Sequence, residues 1–417
     1  MSEWKRYKLS DLYEMSSGIS STKEQAGHGS PFLSFSVVFN NYFLPDSLID
    51  LMDTTDGDKQ KYSINEGDIF LTRTSETVDE LAMSSVALKD YPEASFSGFL
   101  KRLRPVDKRI VYPKFMAFYL RSPLFRRTII NNTVMTLRAS FNEAMFSYLE
   151  IMLPDFDTQK KIGDFLYSLE KKKQTNNQIN QELEAMAKSL YDYWFVQFDF
   201  PDQNGKPYKS SGGKMVYNPE LKREIPEGWG VAKLNEVVDL ISGYPFSSND
   251  YVTSGKYKLY TIKNVQDGYT VDKVDNYLDF LPSNMSHECQ LRRGDLIMSL
   301  TGNVGRVGMV YEDDVLLNQR VLKLNPINKT HKSFIYSFFR SDVTKAHLEN
   351  MSTGTSQKNL SPIDIGNMMI PFPSESLLSK FLDNLNMLEN NLVENQQLTK
   401  LRDWLLPMLM NGQVKVE

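Results

Sequence analysis

From Gln159 to Phe195 the chain contains no proline, and apolar or helix-compatible residues recur three and four apart: Ile162, Phe165, Leu169, Lys172, Asn176, Ile179, Leu183, Met186, Leu190 and Tyr193. That spacing predicts one long helix with a single adhesive stripe. Asp157 and Thr158, just after Pro154, are the expected N-cap. The middle, Glu170-Lys-Lys-Lys-Gln-Thr-Asn-Asn-Gln, is too polar to be enclosed by core on every side. A strut of this kind needs a partner. Near the C-terminus Leu378, Phe381, Leu385, Leu388, Leu392 and Asn395 repeat the spacing, and the stripe continues through Leu398, Leu401 and Leu405. Two unrelated surface helices are the weaker reading, because each stripe persists for several turns.

The remainder of the chain is written twice. Trp4-Lys-Arg-Tyr-Lys-Leu-Ser-Asp-Leu-Tyr-Glu-Met-Ser-Ser-Gly18 returns as Trp229-Gly-Val-Ala-Lys-Leu-Asn-Glu-Val-Val-Asp-Leu-Ile-Ser-Gly243. Phe32–Val38 parallels Leu259–Val265, and Glu66-Gly-Asp-Ile-Phe-Leu-Thr72 parallels Arg293-Gly-Asp-Leu-Ile-Met-Ser299; these short apolar runs between turn signals are expected strands. Phe99–Pro105 matches Arg320–Pro326, and the expected helix Phe115–Ser122 matches Phe334–Ser341. The spacing from Trp4 to Trp229 is far too long for a solenoid, so a whole globule and its helix have been duplicated. The expected organisation is a globule over 1–154, a long helix over 155–200, a polar linker over 201–228, a second globule over 229–373 and a second long helix over 374–417. Each globule is expected to combine short strands with helices. Parallel pairing of the helices would require the linker and second globule to carry the chain back along the whole rod. Antiparallel pairing, with an approximate two-fold relating the copies, is therefore expected, and a helix of ~37 residues at ~1.5 Å each spans roughly 55 Å.

Composition narrows the chemistry. A single cysteine, Cys289, excludes an intramolecular disulfide framework, and four scattered histidines give no metal-ligand spacing. The N-terminus lacks an apolar segment and no run of about 18 apolar residues occurs, so neither a signal peptide nor a membrane span is expected, and the cytoplasm is the expected compartment. No phosphate-binding loop is present: Ser211-Gly-Gly-Lys214 lacks the required first glycine, and Gly302-Asn-Val-Gly305-Arg-Val-Gly308 reads as a turn or bulge. No Asn-Pro-Pro-aromatic or Asp-Pro-Pro-Tyr methyltransferase run occurs either, so an active site in this chain is disfavoured.

Charge is distributed unevenly against a net of −4. Lys101, Arg102, Arg104, Lys108, Arg109, Lys114, Arg121, Arg126, Arg127 and Arg138 fall in a stretch with one acid, Asp107; Arg320 to Lys358 of the second copy is similarly basic. Recurrence in both copies predicts cationic faces that bind phosphates, with Arg126 and Arg127 foremost. Base reading needs guanidinium, amide or hydroxyl groups on exposed loops. Candidates are Thr72, Arg73, Thr74 and Ser75 with Arg138 and Ser140 in the first copy, and Thr301, Asn303 and Arg306 with Gln357, Lys358 and Asn359 in the second. These loops differ between copies while their flanks agree, as expected if each globule reads a different word.

The two Trp-x-x-x-Lys-Leu openings, the Gly-Asp-aliphatic strand of each copy, and the helix endings Leu190-Tyr-Asp-Tyr-Trp-Phe-Val-Gln-Phe-Asp-Phe-Pro201 and Leu401-Arg-Asp-Trp-Leu-Leu-Pro-Met-Leu-Met-Asn-Gly-Gln-Val resemble the specificity subunit of type I restriction-modification enzymes. The resemblance spans essentially the whole chain. It implies two target-recognition domains, each an α/β (α+β) globule, spaced by an antiparallel coiled coil, no catalytic residue, metal or cofactor in the chain, and double-stranded DNA as ligand; two similar but non-identical globules at the ends of a rod predict an asymmetric two-part target. It also implies two modification subunits that bind S-adenosylmethionine and methylate adenine, joined by restriction subunits that cleave. Apolar residues at the helix ends, Tyr191, Trp194 and Phe195 with Trp404, Leu406 and Leu409, are the expected docking groups. Pro407 departs from an ideal ending and is expected to stop or kink the second helix. A stand-alone repressor built as a pseudo-dimer, or a coiled-coil scaffold whose globules bind protein, are the alternative readings.

Overall fold

The computed structural model describes residues 4–133, 138–354, 358–381 and 383–416. It divides into two compact units, residues 1–172 with 398–417, and residues 173–397.

In the first unit Lys5–Lys8 pairs antiparallel with Glu150–Leu153, so the start and end of the first copy close on each other. The central antiparallel sheet has the order Tyr13–Ser17, Leu100–Pro105, Ile69–Thr72, Ser84–Val86. Ile69–Thr72 is buried along its whole length and therefore lacks polar alternation. Ile69 and Leu71 enter the main core with Leu103, Phe115, Phe118 and Phe141, whereas Phe70 enters a smaller core with Leu33, Val38 and Phe96. Ile162 and Leu166 of the first long helix, and Leu406, Leu409 and Met410 of the second, complete the main core. Gly163 permits that approach: a Cβ there would lie 2.6 Å from the Phe115 backbone nitrogen.

The second unit repeats the plan. Gly230–Lys233 pairs with Met369–Phe372, and a five-stranded sheet runs Val238–Ser242, Val321–Pro326, Leu296–Ser299, Val307–Met309, Gly268–Tyr269. Register is kept as well: Tyr13 opposes Pro105 and Ile69 opposes Leu103, while Val238 opposes Pro326 and Leu296 opposes Leu324. Leu296 and Met298 face a core built with Phe334, Ile335, Phe339, Tyr191, Phe195 and Phe381, and Ile297 faces a smaller one.

The long helices are Phe156–Tyr191, followed by a π-turn Asp192–Val196, and Asp383–Met410. Asp155, rather than Asp157 or Thr158, caps the first, accepting from the Thr158 N–H at 2.9 Å and its hydroxyl at 2.8 Å. Within the second unit the pairing is antiparallel. Asn176 donates to Glu394 (2.7 Å) and Asn395 (3.0 Å), and Asn391 donates to Asn180 (2.8 Å). In the first unit Arg402 donates to Glu170 at 3.2 Å.

Several expectations are corrected. Positions 162, 166, 169, 173, 176, 180, 183, 187 and 191 are buried or half-buried and form one row along the first long helix; Phe165 and Leu190 of the expected stripe are half-buried as well, but its Lys172, Ile179, Met186 and Tyr193 are exposed. A strict seven-residue repeat drifts about 20° per heptad on a straight helix, and the observed positions follow a period near 3.6 instead. Phe32–Val38 is not one strand: Ala26–Leu33 ends there and a short helix, Phe35–Asn40, follows, as Tyr257–Tyr260 is followed by a 3₁₀ turn at Ile262–Asn264. The polar stretch after Pro201 is not slack, since Met215–Asn218 and Arg223–Pro226 form a hairpin and Phe200 stacks on Trp229 and Tyr208. Pro407 lies inside the second long helix, which continues to Met410.

Candidate nucleic-acid interface

Strand Ile69–Thr72 delivers the chain to the first tip. Thr72 itself is fully buried, its hydroxyl accepting from the Met83 N–H (2.9 Å) and donating to the Glu80 carbonyl (3.3 Å). It is withdrawn as a base contact, because both bonding capacities of its hydroxyl serve the fold. Beyond it, Arg73 is exposed and its guanidinium has no partner among the described residues. Thr74–Ser75 pairs with Ala139–Ser140, Thr74 opposing Ser140 and Ser75 opposing Ala139. Two candidate loops distant in sequence thus form one ladder. Arg138 at its edge is exposed and forms an ion pair with Glu76 at 3.3 Å.

The second tip has the same construction. Thr301 bridges to Asn359, which also bridges to Thr353. Gly302 and Gly305 take left-handed backbone (φ 73° and 74°) that a β-carbon would strain, and the turn they shape exposes Asn303. Arg306 donates to Gln266 at 3.2 Å, and Lys358 is ion-paired with Glu349. The Thr301 hydroxyl is buried without a partner among the described residues. A shallow cavity of about 570 Å³ opens here, lined among others by Gln266, Tyr269, Asn303, Arg306, Lys345 and Lys358. Gln357 lies outside the described residues.

The two expected cationic faces do not form as such. Lys101 is buried against Glu143 (3.1 Å) and Ser17 (2.9 Å), and Arg102 donates to the Ser63 carbonyl (2.6 Å). Arg104 grips buried Asp68 through two bonds of 2.6 and 2.8 Å, and Lys114 pairs with Asp164 at 2.8 Å. Arg121 binds the carbonyls of Val38, Phe39, Asn41 and Ser84, and burial pushes its pKa down to about 10. Arg126 is half-buried and donates to the Asp79 carbonyl at 2.7 Å, so part of its donor capacity serves the fold rather than a phosphate. Arg127 remains exposed and unpaired among the described residues. In the second unit Lys323 pairs with Asp295 (3.0 Å), Lys332 with Glu389 (2.7 Å), Arg340 with Glu184 (3.0 Å) and Asp267 (2.7 Å), and Lys345 with Asp267 (2.8 Å). The local excess of cations is neutralised by acids and carbonyls distant in sequence.

Sequence reasoning missed Phe99 at the first tip, and it counted Arg320 as part of a basic face without placing it at the second tip. Both are exposed on the turn preceding the inner strand, and the match between Phe99–Pro105 and Arg320–Pro326 already set them opposite each other. Both turns are also backbone-bonded to the tip. Arg73 donates its N–H to the Phe99 carbonyl at 2.8 Å and Leu300 donates to the Arg320 carbonyl at 3.0 Å.

The expected docking group divides. Tyr191, Phe195, Leu406 and Leu409 are buried in the chain's own cores, Phe195 with its ring 5.1 Å from Phe334 and 5.3 Å from Phe381, so they are core residues. Trp194 is half-buried against Phe381. Trp404 is 65% exposed beside exposed Leu401. Its counterpart in the repeated ending is Tyr193, also exposed, beside half-buried Leu190.

Among the described residues no cluster of three or more histidine, cysteine or acidic side chains could hold a metal, and no helix is long and apolar enough to cross a membrane. A family profile described as the type I restriction modification DNA specificity domain matches residues 1–185 and 226–401. The chain is 24% identical to the type I restriction enzyme HindI specificity subunit of Haemophilus influenzae over 99% of this chain and 100% of the relative. It is 27% identical to the MjaIX specificity subunit of Methanocaldococcus jannaschii over 64% of this chain and 61% of that one. The fold resembles the crystal structure of a type I restriction-modification system S subunit from M. genitalium, with a TM-score of 0.55, 15% identity, and coverage of 98% and 96% of the two chains.

Proposed function

We propose a function from one premise: the chain belongs to the family of type I restriction-modification DNA specificity subunits. Its part in such an enzyme is to select DNA, and the catalytic steps belong to other subunits. Each tip reads one word of an asymmetric two-part target in double-stranded DNA, and the gap between the words follows the length of the paired helices. The observation that carries this reading is the common backbone frame of the two tips, which holds different side chains in each copy. A shared frame with altered contact groups is what two related but distinct words require.

Two modification subunits, which hold S-adenosylmethionine and methylate adenine, dock at the repeated helix endings, one at Tyr193 with Leu190 and one at Trp404 with Leu401. Restriction subunits join this assembly, which works in the cytoplasm. An exposed aromatic at the same place in both copies supports two equivalent contacts. Mapping methylated adenines in a host that carries the chain and its partner subunits tests the reading. Deleting the chain is expected to abolish one asymmetric two-part motif, and re-expression to restore it. A methylation pattern indifferent to the chain would end the proposal.

A further inference from the structure

Both tips are tied by the same three backbone hydrogen bonds. In the first unit Arg73 donates to Phe99 (2.8 Å), Phe141 to Arg73 (2.8 Å) and Leu100 to Ser97 (2.9 Å). In the second, Leu300 donates to Arg320 (3.0 Å), Leu360 to Leu300 (2.9 Å) and Val321 to Asn318 (2.9 Å). Positions 73 and 300 are therefore equivalent, as are 99 and 320.

The side chains on these positions are exchanged. The first unit carries a guanidinium on the strand arm (Arg73) and an aromatic ring on the turn arm (Phe99), and the second carries an aliphatic group on the strand arm (Leu300) and a guanidinium on the turn arm (Arg320). Leu300 is folded into the core, but Phe99 is 66% exposed. Neither Arg73 nor Arg320 has a side-chain partner among the described residues, in contrast to most cations of the two basic segments. An isolated exposed apolar residue is ordinary on a protein surface. This one occupies the position at which the other copy places a free arginine.

We propose that Arg73 and Arg320 are guanine-reading groups on opposite arms of equivalent tips, and that Phe99 contacts the C5-methyl group of a thymine. The inference rests on the reading that the tips contact bases. An arginine fork fits the O6 and N7 acceptors of guanine, and the thymine methyl is the apolar feature of the major-groove edge, which Phe can meet. Moving the guanidinium between arms shifts the base step at which guanine is demanded, so the two words differ in the position of their specified guanine as well as in composition.

The test uses the purified complex of the full chain with its modification subunits, and duplexes of the mapped target bearing uracil for each thymine or 7-deazaguanine for each guanine, one at a time. One uracil in the first unit's word is expected to slow methylation about fourfold, the worth of one buried methyl group, and Phe99→Ala is expected to abolish that sensitivity. One 7-deazaguanine in each word is expected to slow the wild type about tenfold or more, with the effect lost in Arg73→Ala for one word and in Arg320→Ala for the other. Thermal midpoints of all three variants should match the wild type, since the altered side chains are exposed. Indifference of the wild type to every uracil, or a Phe99→Ala complex that stays sensitive, overturns the Phe99 assignment alone. If Arg73→Ala and Arg320→Ala both keep their 7-deazaguanine sensitivity, the arginine assignments fail while base reading stands, whereas a wild type indifferent to every uracil and every 7-deazaguanine ends the base-contact reading of the tips itself.

Discussion

Phe195→Ala and Trp404→Ala lie at corresponding ends of the two long helices, yet their effects should separate completely. Phe195 is 3% exposed and packs against Tyr191, Trp229, Phe334 and Phe381, with ring centroids 5.1 to 6.0 Å apart. Truncating a core phenylalanine costs about 3–5 kcal/mol, and the lost ring pairs place this site toward the upper end. The unit from Lys173 to Gln397 contains 225 residues (397 − 173 + 1). At ~2.1 cal/mol/K per residue its unfolding entropy is about 0.47 kcal/mol/K, so a loss of ~4 kcal/mol lowers its midpoint by about 8 °C. Trp404 is 65% exposed, and its truncation should change stability by no more than about 0.5 kcal/mol while weakening co-purification with the modification subunit. Thermal unfolding by circular dichroism and a pull-down on the same preparations report both quantities. A Phe195→Ala chain with an unchanged midpoint, or a Trp404→Ala chain that melts as early as Phe195→Ala is expected to, would refute the division into core and docking residues.

Three further outcomes follow from the packing. Gly163→Ala should destabilise the first unit by about 1–3 kcal/mol in denaturant titration, because its β-carbon meets the Phe115 backbone at 2.6 Å rather than a side chain that could rotate away. Arg104→Ala should cost about 3–5 kcal/mol, since it leaves the buried Asp68 carboxylate without its counter-charge and with the Asn65 N–H (2.8 Å) as its remaining donor among the described residues, whereas Arg127→Ala should leave stability intact and weaken binding to all DNA sequences alike. Asp155→Ala should cost about 0.5–2 kcal/mol at neutral pH through loss of the helix cap. The backbone N–H of Thr158 holds the Asp155 carboxyl below the usual range, so the cap stabilises above the unfolded pKa of ~3.9 and fades as pH falls through the lower folded value; the gap between variant and wild type should close below about pH 4.

The duplication was legible because both copies keep their turn signals, and Tyr13 against Pro105 and Val238 against Pro326 confirm that the matched segments share one register. The antiparallel helix pair was legible from length and spacing. Its seam was not, because Asn176 and Asn180 occupy buried positions by bonding across the pair, Asn176 to Glu394 and Asn395 and Asn180 to Asn391, whereas apolar Ile179 and Met186 are exposed; polarity alone ranks them in the opposite order. The basic segments misled for a related reason. Lys101 and Arg104 sit in a strand, Leu100–Pro105, and are satisfied by Glu143 and Asp68, which no local window associates with them. The tips were found as loops, but the equivalence of Phe99 with Arg320 required the backbone bonds that tie each turn to its tip.

The division of labour between reading tips and spacing helices is tested most directly by lengthening both helices at one level, after Lys172 and after Gln397, where the two compact units meet in sequence. Four inserted residues in each helix add about 6 Å, which at ~3.4 Å per base pair corresponds to roughly one or two base pairs. Adenine-methylation mapping of the insertion variant with its partner subunits should return both words unchanged and a gap longer by that amount. An unchanged gap, or altered words at the original gap, would contradict the account.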